Sequence, residues 1–174
     1  MGRPNTPMIK ILYFLKYYLL YKGWNQVFHG GIGSYALSLM VIRFFQEPAT
    51  QDLIKTYEKS RSLLARLLIG FLQRFSDINF VRNHTISVRD GGAYFPTPPL
   101  PDDHHYSENS LFKKSSILRI EDHLVPWKNV SSGSFNSDLI LSDFGHLLNT
   151  LLNPEQNDND NCWSIIGSGL AVVD

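Results

Sequence analysis

Between Ala36 and Gln46 the chain is apolar on nearly every side. Leu37, Leu39, Met40, Val41, Ile42, Phe44 and Phe45 leave no polar face wide enough to meet water, so a helix over about Tyr35 to Gln46 must run through the middle of a core. Pro48 limits its continuation. The chain is therefore organised around one central helix. With 174 residues, 43% of them hydrophobic and 13% aromatic, it has material for one domain of that kind.

The approach to this helix is Gly30-Gly31-Ile32-Gly33-Ser34-Tyr35. Three glycines permit a tight turn, and Ser34 reads as the helix N-cap, its hydroxyl accepting from a free first-turn amide. Two readings stay open. One is a turn that only feeds a core helix. The other is an anion site, because a helix N-terminus presents unpaired N–H groups and a favourable dipole. In the second case a nucleotide's phosphates sit on the loop and the Tyr35 ring is free to stack on the base.

Other helices follow from periodicity. Thr6 and Pro7 open the first, as N-cap and first helical residue, and Gly23 closes it. Its inward stripe is Ile11, Leu12, Leu15 and Leu19, while Lys10, Lys16 and Lys22 read as solvated outer positions. Gln51 to Arg61 is mixed and polar, a loop or an exposed helical turn. Leu63, Leu64, Leu67, Leu68, Phe71, Leu72 and Phe75 keep the helical period closely. Ser137 or Asp138 caps another helix through Leu139, Leu141, Phe144, Leu147, Leu148 and Leu151, ended by Asn153-Pro154. Trp163 to Asp174 begins a further apolar element.

The β signals are few. Ile86 and Val88 alternate with Ser87 and Arg89, Asp90-Gly91 supplies a turn, and Tyr94 and Phe95 follow, which predicts a hairpin over Thr85 to Phe95. Ile117 to Asp122 is a short strand. The fold class is mainly α with a small β element. Pro96 to Ser116 reads as a long polar loop, so Asp102-Asp103-His104-His105 is solvated rather than a metal site. Asp158 and Asp160 lack the Gly and Glu of a calcium loop.

Formal net charge is zero, so bulk electrostatics does not mark a nucleic-acid binder. One cysteine, Cys162, cannot form an internal disulfide, which fits an intracellular, reducing setting. The triplets at Asn83 and Asn129 match a glycosylation pattern without a secretory signal to accompany them. The apolar run from Ile9 to Leu20 is too short to span a membrane and contains lysines, so no membrane partner is expected.

Several blocks resemble a known family. Leu15-Lys16, Trp24-Asn25-Gln26-Val27-Phe28 and Gly30 to Leu37 are similar to the central domain of non-canonical poly(A) polymerases, nearest to the TRAMP-type nuclear enzyme. Ile86 to Tyr94 resembles that family's hairpin. Ile120-Glu121-Asp122 and Asn129-Val130-Ser131-Ser132-Gly133-Ser134-Phe135-Asn136 resemble its nucleotide-recognition motif, and Trp163 to Gly167 resembles a segment near the domain's end.

The resemblance implies a helical poly(A) polymerase central domain over residues 7–174, incomplete, that binds ATP and an RNA 3′ end. Lys16 approaches the phosphates, Ser34 hydrogen-bonds the triphosphate and Tyr35 stacks on the base. It further implies RNA surveillance in the nucleus, with a zinc-knuckle RNA-binding protein and an RNA helicase as partners. The family's Gly-Ser motif with three spaced, metal-binding carboxylates has no counterpart here. The catalytic domain is expected to lie before Met1, and Mg²⁺ or Mn²⁺ only with it, so the chain alone is expected to be catalytically silent. Lys128, Ser132 and His123 stand where the family often has asparagine, arginine and proline. Lys128 and Ser132 favour, as an alternative, a degenerate relative acting as a protein-interaction module.

Overall fold

The computed structural model describes residues 6–97 and 116–153. The Asp102–His105 cluster, the Asn157–Asn161 segment, Cys162 and the Trp163–Asp174 element lie outside them. The helices are α1 (Pro7–Tyr21), α2 (Ser34–Gln46), α3 (Pro48–Tyr57), α4 (Leu63–Ser76), α5 (Ile78–Asn83) and α6 (Ser137–Leu152). Three short strands, β1 (His84–Ser87), β2 (Ala93–Pro96) and β3 (Arg119–Ile120), form one sheet in the order β2-β1-β3. The fold is mainly α with a small β element.

Helix α2 is the centre. Ala36, Leu37, Leu39, Met40, Val41, Phe44 and Phe45 are buried, and the helix packs against α1, α3, β1 and β3. Around it, α4 lies along α6, and Phe71 joins them, with ring centroids 5.7 Å from Phe44, 4.6 Å from Phe75 and 6.0 Å from Phe144. Aromatic pairs at such spacing add to the area they bury.

Helix α1 ends as a Schellman cap: Trp24 N–H donates to Leu19 O and Gly23 N–H to Leu20 O. Thr6 takes the N-cap position, but its side chain makes no cap hydrogen bond. Lys22 does not belong to a solvated face. Its Nζ lies 3.2 Å from Asp143 Oδ1, and Tyr18 Oη donates to the same carboxylate, tying α1 to α6. Among the described residues no helix is long and apolar enough to cross a membrane.

Of the two readings of Gln51 to Arg61, the exposed helical one holds as far as Tyr57, since Gln51 lies inside α3. Pro48 occupies the first helical position, where its missing N–H costs nothing, so it starts a helix rather than only ending one. The hairpin has the register Ile86 opposite Tyr94, with Asp90 and Gly91 both at positive φ in the turn. Strand β3 lies parallel to β1, pairing Ile120 with Ile86.

A polar cluster fastens the hairpin to the helices. Glu47 accepts from Arg74 Nε and Nη2, both at 3.1 Å, and from Tyr94 Oη at 2.5 Å. Burial, followed by the Glu47 hydrogen bond, pushes the Tyr94 phenol far above its ordinary value. The Arg43 guanidinium stacks 4.1 Å from the Tyr94 ring centroid.

Candidate nucleotide-contact wall

The wall is assembled from two loops and the start of α2. Gly30 sits in left-handed backbone at φ 78°, and a Cβ there would stand 2.4 Å from the Phe135 ring. Gly31 passes so close to Trp24 that a Cβ would meet its carbonyl oxygen at 2.3 Å. Only glycine fits such contacts. The loop is stitched to the 129–136 segment by Asn136 N–H to Gly30 O (3.0 Å) and Asn136 Nδ2 to His29 O (2.9 Å). Two blocks a hundred residues apart thus become one surface.

Helix α2 begins at Ser34, and its N-cap is Gly33, with extended backbone and no side-chain cap. The N-cap role expected of Ser34 is not met. Ser34 is already the first helical residue, one position past the cap. It is exposed, and its carbonyl accepts from Ser38 Oγ.

Tyr35 is 44% exposed, and its hydroxyl reaches across to the loop after β3. Tyr35 Oη donates to Asp122 Oδ1 at 3.0 Å and lies 2.7 Å from His123 Nδ1. Loss of hydration at the hydroxyl, then the Asp122 contact, raises the Tyr35 phenol above its ordinary value. Asp122 Oδ1 also accepts from Leu124 N–H at 3.0 Å, and that bond leads the lowering of its carboxyl below the ordinary range.

The rest of the motif is largely structural. Asn129 Oδ1 accepts from the N–H groups of Ile120 and Ser131, both at 3.0 Å, and Ser131 Oγ lies 2.6 Å from Leu118 O. Glu121 pairs with Arg89 across 3.6 Å. Lys128 and Ser132 are exposed on this loop, and the Lys128 carbonyl accepts from Asp122 N–H.

Lys16 is half-buried on α1, on the same face as Leu12 and Leu20. Among the described residues it forms no ion pair, and no hydrogen bond joins it to Ser34 or Tyr35. The structure brings Tyr35 to Asp122 and His123. It places Lys16 on the neighbouring helix, without an ion pair among the described residues. Asp122 and His123 were missed as partners of Tyr35, because nothing local in sequence links positions so far apart. No group of three or more His, Cys, Asp or Glu converges among the described residues.

No protein-family model matches the sequence. Curated relatives do. Poly(A) RNA polymerase CID14 of Cryptococcus neoformans is 32% identical over 138 residues, which is 78% of this chain and 16% of that protein. The inactive non-canonical poly(A) RNA polymerase protein Trf4-2 of Drosophila melanogaster is 33% identical over 143 residues, 82% of this chain and 33% of that protein. The chain belongs to the non-canonical poly(A) polymerase family. Poly(A) RNA polymerase gld-4 of Caenorhabditis elegans is 28% identical over 152 residues, 86% of the chain and 17% of the relative. The chain therefore spans a third or less of the length of these relatives. Among solved structures, the polymerase core of TRAMP, an RNA surveillance complex, shares the fold with a TM-score of 0.59 at 24% identity, covering 92% of this chain and 48% of that one. Family membership includes active and inactive proteins.

Proposed function

We propose that this chain is the central, nucleotide-contacting domain of a poly(A) RNA polymerase, spanning residues 7–174, and that it holds ATP while AMP is added to RNA 3′ ends in nuclear RNA surveillance. One observation carries the reading. Tyr35, read from the sequence as the base-stacking residue, stands beside Asp122 and His123 of the segment read as the recognition motif. A base lying on the Tyr35 ring would have that loop as its second neighbour.

Ser34 offers an exposed hydroxyl at the α2 N-terminus, where first-turn amides favour a phosphate. Lys16 supplies a point charge that no carboxylate among the described residues neutralises. In this reading the chain's part in the reaction is to bind and orient the nucleotide. A zinc-knuckle RNA-binding protein and an RNA helicase are the partners the reading names.

The test is ATP titration of the chain and its variants. Tyr35→Ala is expected to weaken binding by about 1–3 kcal/mol, the scale of one base–aromatic stack, and Lys16→Ala by a smaller, salt-sensitive amount. Unchanged ATP affinity in both variants would end the reading.

The second reading, an interaction module without nucleotide chemistry, has its own support. Phe28 is 89% exposed, Trp127 88% and Leu124 76%, and all three stand on the loops that build this wall. Side chains of this size in water favour a protein partner. Chain that never binds ATP but is held in a complex through Phe28 and Trp127 would establish this reading instead.

A further inference from the structure

The contact between Tyr35 and His123 constrains the imidazole. The phenol carries one proton, and the Asp122 carboxylate can only accept. Tyr35 Oη sits 3.0 Å from Asp122 Oδ1 and 2.7 Å from His123 Nδ1. Both contacts are satisfied together in one way: Tyr35 donates to Asp122, and His123 carries a proton on Nδ1 and donates to Tyr35 Oη.

The cluster is anchored on one side only by backbone. Asp122 is buried and fixed by Leu124 N–H to the same Oδ1 and by its own N–H to Lys128 O. His123 is half exposed, with its Nδ1 4.0 Å from Asp122 Oδ1 and its ring centroid 6.1 Å from that of Tyr35. Lys128 is the other charge beside Asp122. Tyr35 is thus held at its tip while 44% of the residue remains exposed.

We propose that His123, acting with Asp122, is a positioning residue that presets the Tyr35 ring as a stacking platform for a nucleobase. An exposed tyrosine at a helix start otherwise samples several side-chain rotamers and must be ordered by each base that lands on it. Pinning the hydroxyl removes that cost before the ligand arrives. The phosphates gain nothing from the device, because they do not touch the ring. The proposal rests on the reading of Tyr35 as the base-stacking residue.

The experiment compares ATP with tripolyphosphate, which has the phosphates and no base, by calorimetric titration of the 174-residue chain. Tyr35→Phe keeps the ring and loses the hydroxyl. His123→Ala loses the imidazole. Each is expected to weaken ATP roughly threefold to tenfold, the scale of one ordered side chain, and to leave tripolyphosphate unchanged. Nitrogen NMR of the imidazole is expected to show His123 protonated on Nδ1 in the parent chain and released from that form in Tyr35→Phe.

Parent-like ATP binding by either variant, or a parent His123 protonated on Nε2 alone, overturns the proposal. The reading beneath it fails separately, through Tyr35→Ala. If that variant binds ATP as the parent does, the ring is no platform. If it binds worse while Tyr35→Phe and His123→Ala do not, only the positioning role is lost. The NMR result stands independently of whether His123→Ala folds well.

Discussion

Gly133→Ala tests the seam between the two loops. A Cβ at Gly133 would stand 2.6 Å from Val27 Cγ1, and a Cβ at Gly33 would stand 2.8 Å from Val27 Cγ2. Each methyl of one valine therefore fills the space of a missing side chain, one on each loop. Carbon pairs favour about 3.5–4.0 Å, so Gly133→Ala must push the valine or the loop by about 1 Å. Overpacking of this kind costs about 1–3 kcal/mol. Val27 is 44% exposed and can yield outward, which points to the lower half of that range. Val27→Ala alone removes two half-buried methyl groups, a loss of about 1 kcal/mol. With Val27 truncated the new Cβ has room, so the double variant is expected to be about as stable as Val27→Ala, a coupling of about 1 kcal/mol in its favour. Urea denaturation followed by circular dichroism measures all three. Gly31→Ala is the control, since it meets the Trp24 backbone oxygen and Val27→Ala should not rescue it. Additive costs, within about 0.5 kcal/mol, would refute the packed seam.

Glu47→Ala leaves Arg74 and Tyr94 without their shared acceptor and is expected to cost about 3 kcal/mol, against about 1 kcal/mol for Tyr94→Phe; equal small losses in thermal unfolding would show that the cluster does not fasten the hairpin. The lowered Asp122 carboxyl stabilises the fold fully above the ordinary value of 3.8, and this contribution is lost as pH falls below it through the folded-state value. Unfolding free energies of the parent and Asp122→Asn are therefore expected to converge in acid, and curves that stay parallel would contradict the shift. Ser34→Ala is expected to change stability by less than about 0.5 kcal/mol, because Ser34 caps nothing. Asp77→Ala is expected to cost about 1 kcal/mol, because Asp77 Oδ1 accepts from Phe80 N–H at 2.9 Å.

The sequence made the central helix legible because apolar residues surround it, and α4 because its stripe holds the helical period without a break. The Asp90-Gly91 turn placed the hairpin. Helix α3 stayed open between a loop and an exposed helical turn, because a proline at a helix start and one at a helix end look alike without their neighbours. Helix α5 is six residues long, too short for a period to show. Ser34 was misread by one position, since either of two adjacent residues can precede a first turn. The Glu47–Arg74–Tyr94 cluster and the Lys22–Asp143 pair join residues with no local pattern between them. The same holds for the wall, where Tyr35 was visible as an exposed ring beside a glycine loop, and its partners Asp122 and His123 became visible only once the chain had folded.

Photocross-linking with 8-azido-ATP, followed by peptide mapping, tests most directly whether this wall receives a nucleotide. The account predicts a label on the peptide that carries Ser34 and Tyr35, or on the facing peptide that carries Asp122 and His123, in either case displaced by unlabelled ATP. A competed label on the cleft lined by Phe44, Gly70 and Arg74, or no competed label anywhere, would contradict it.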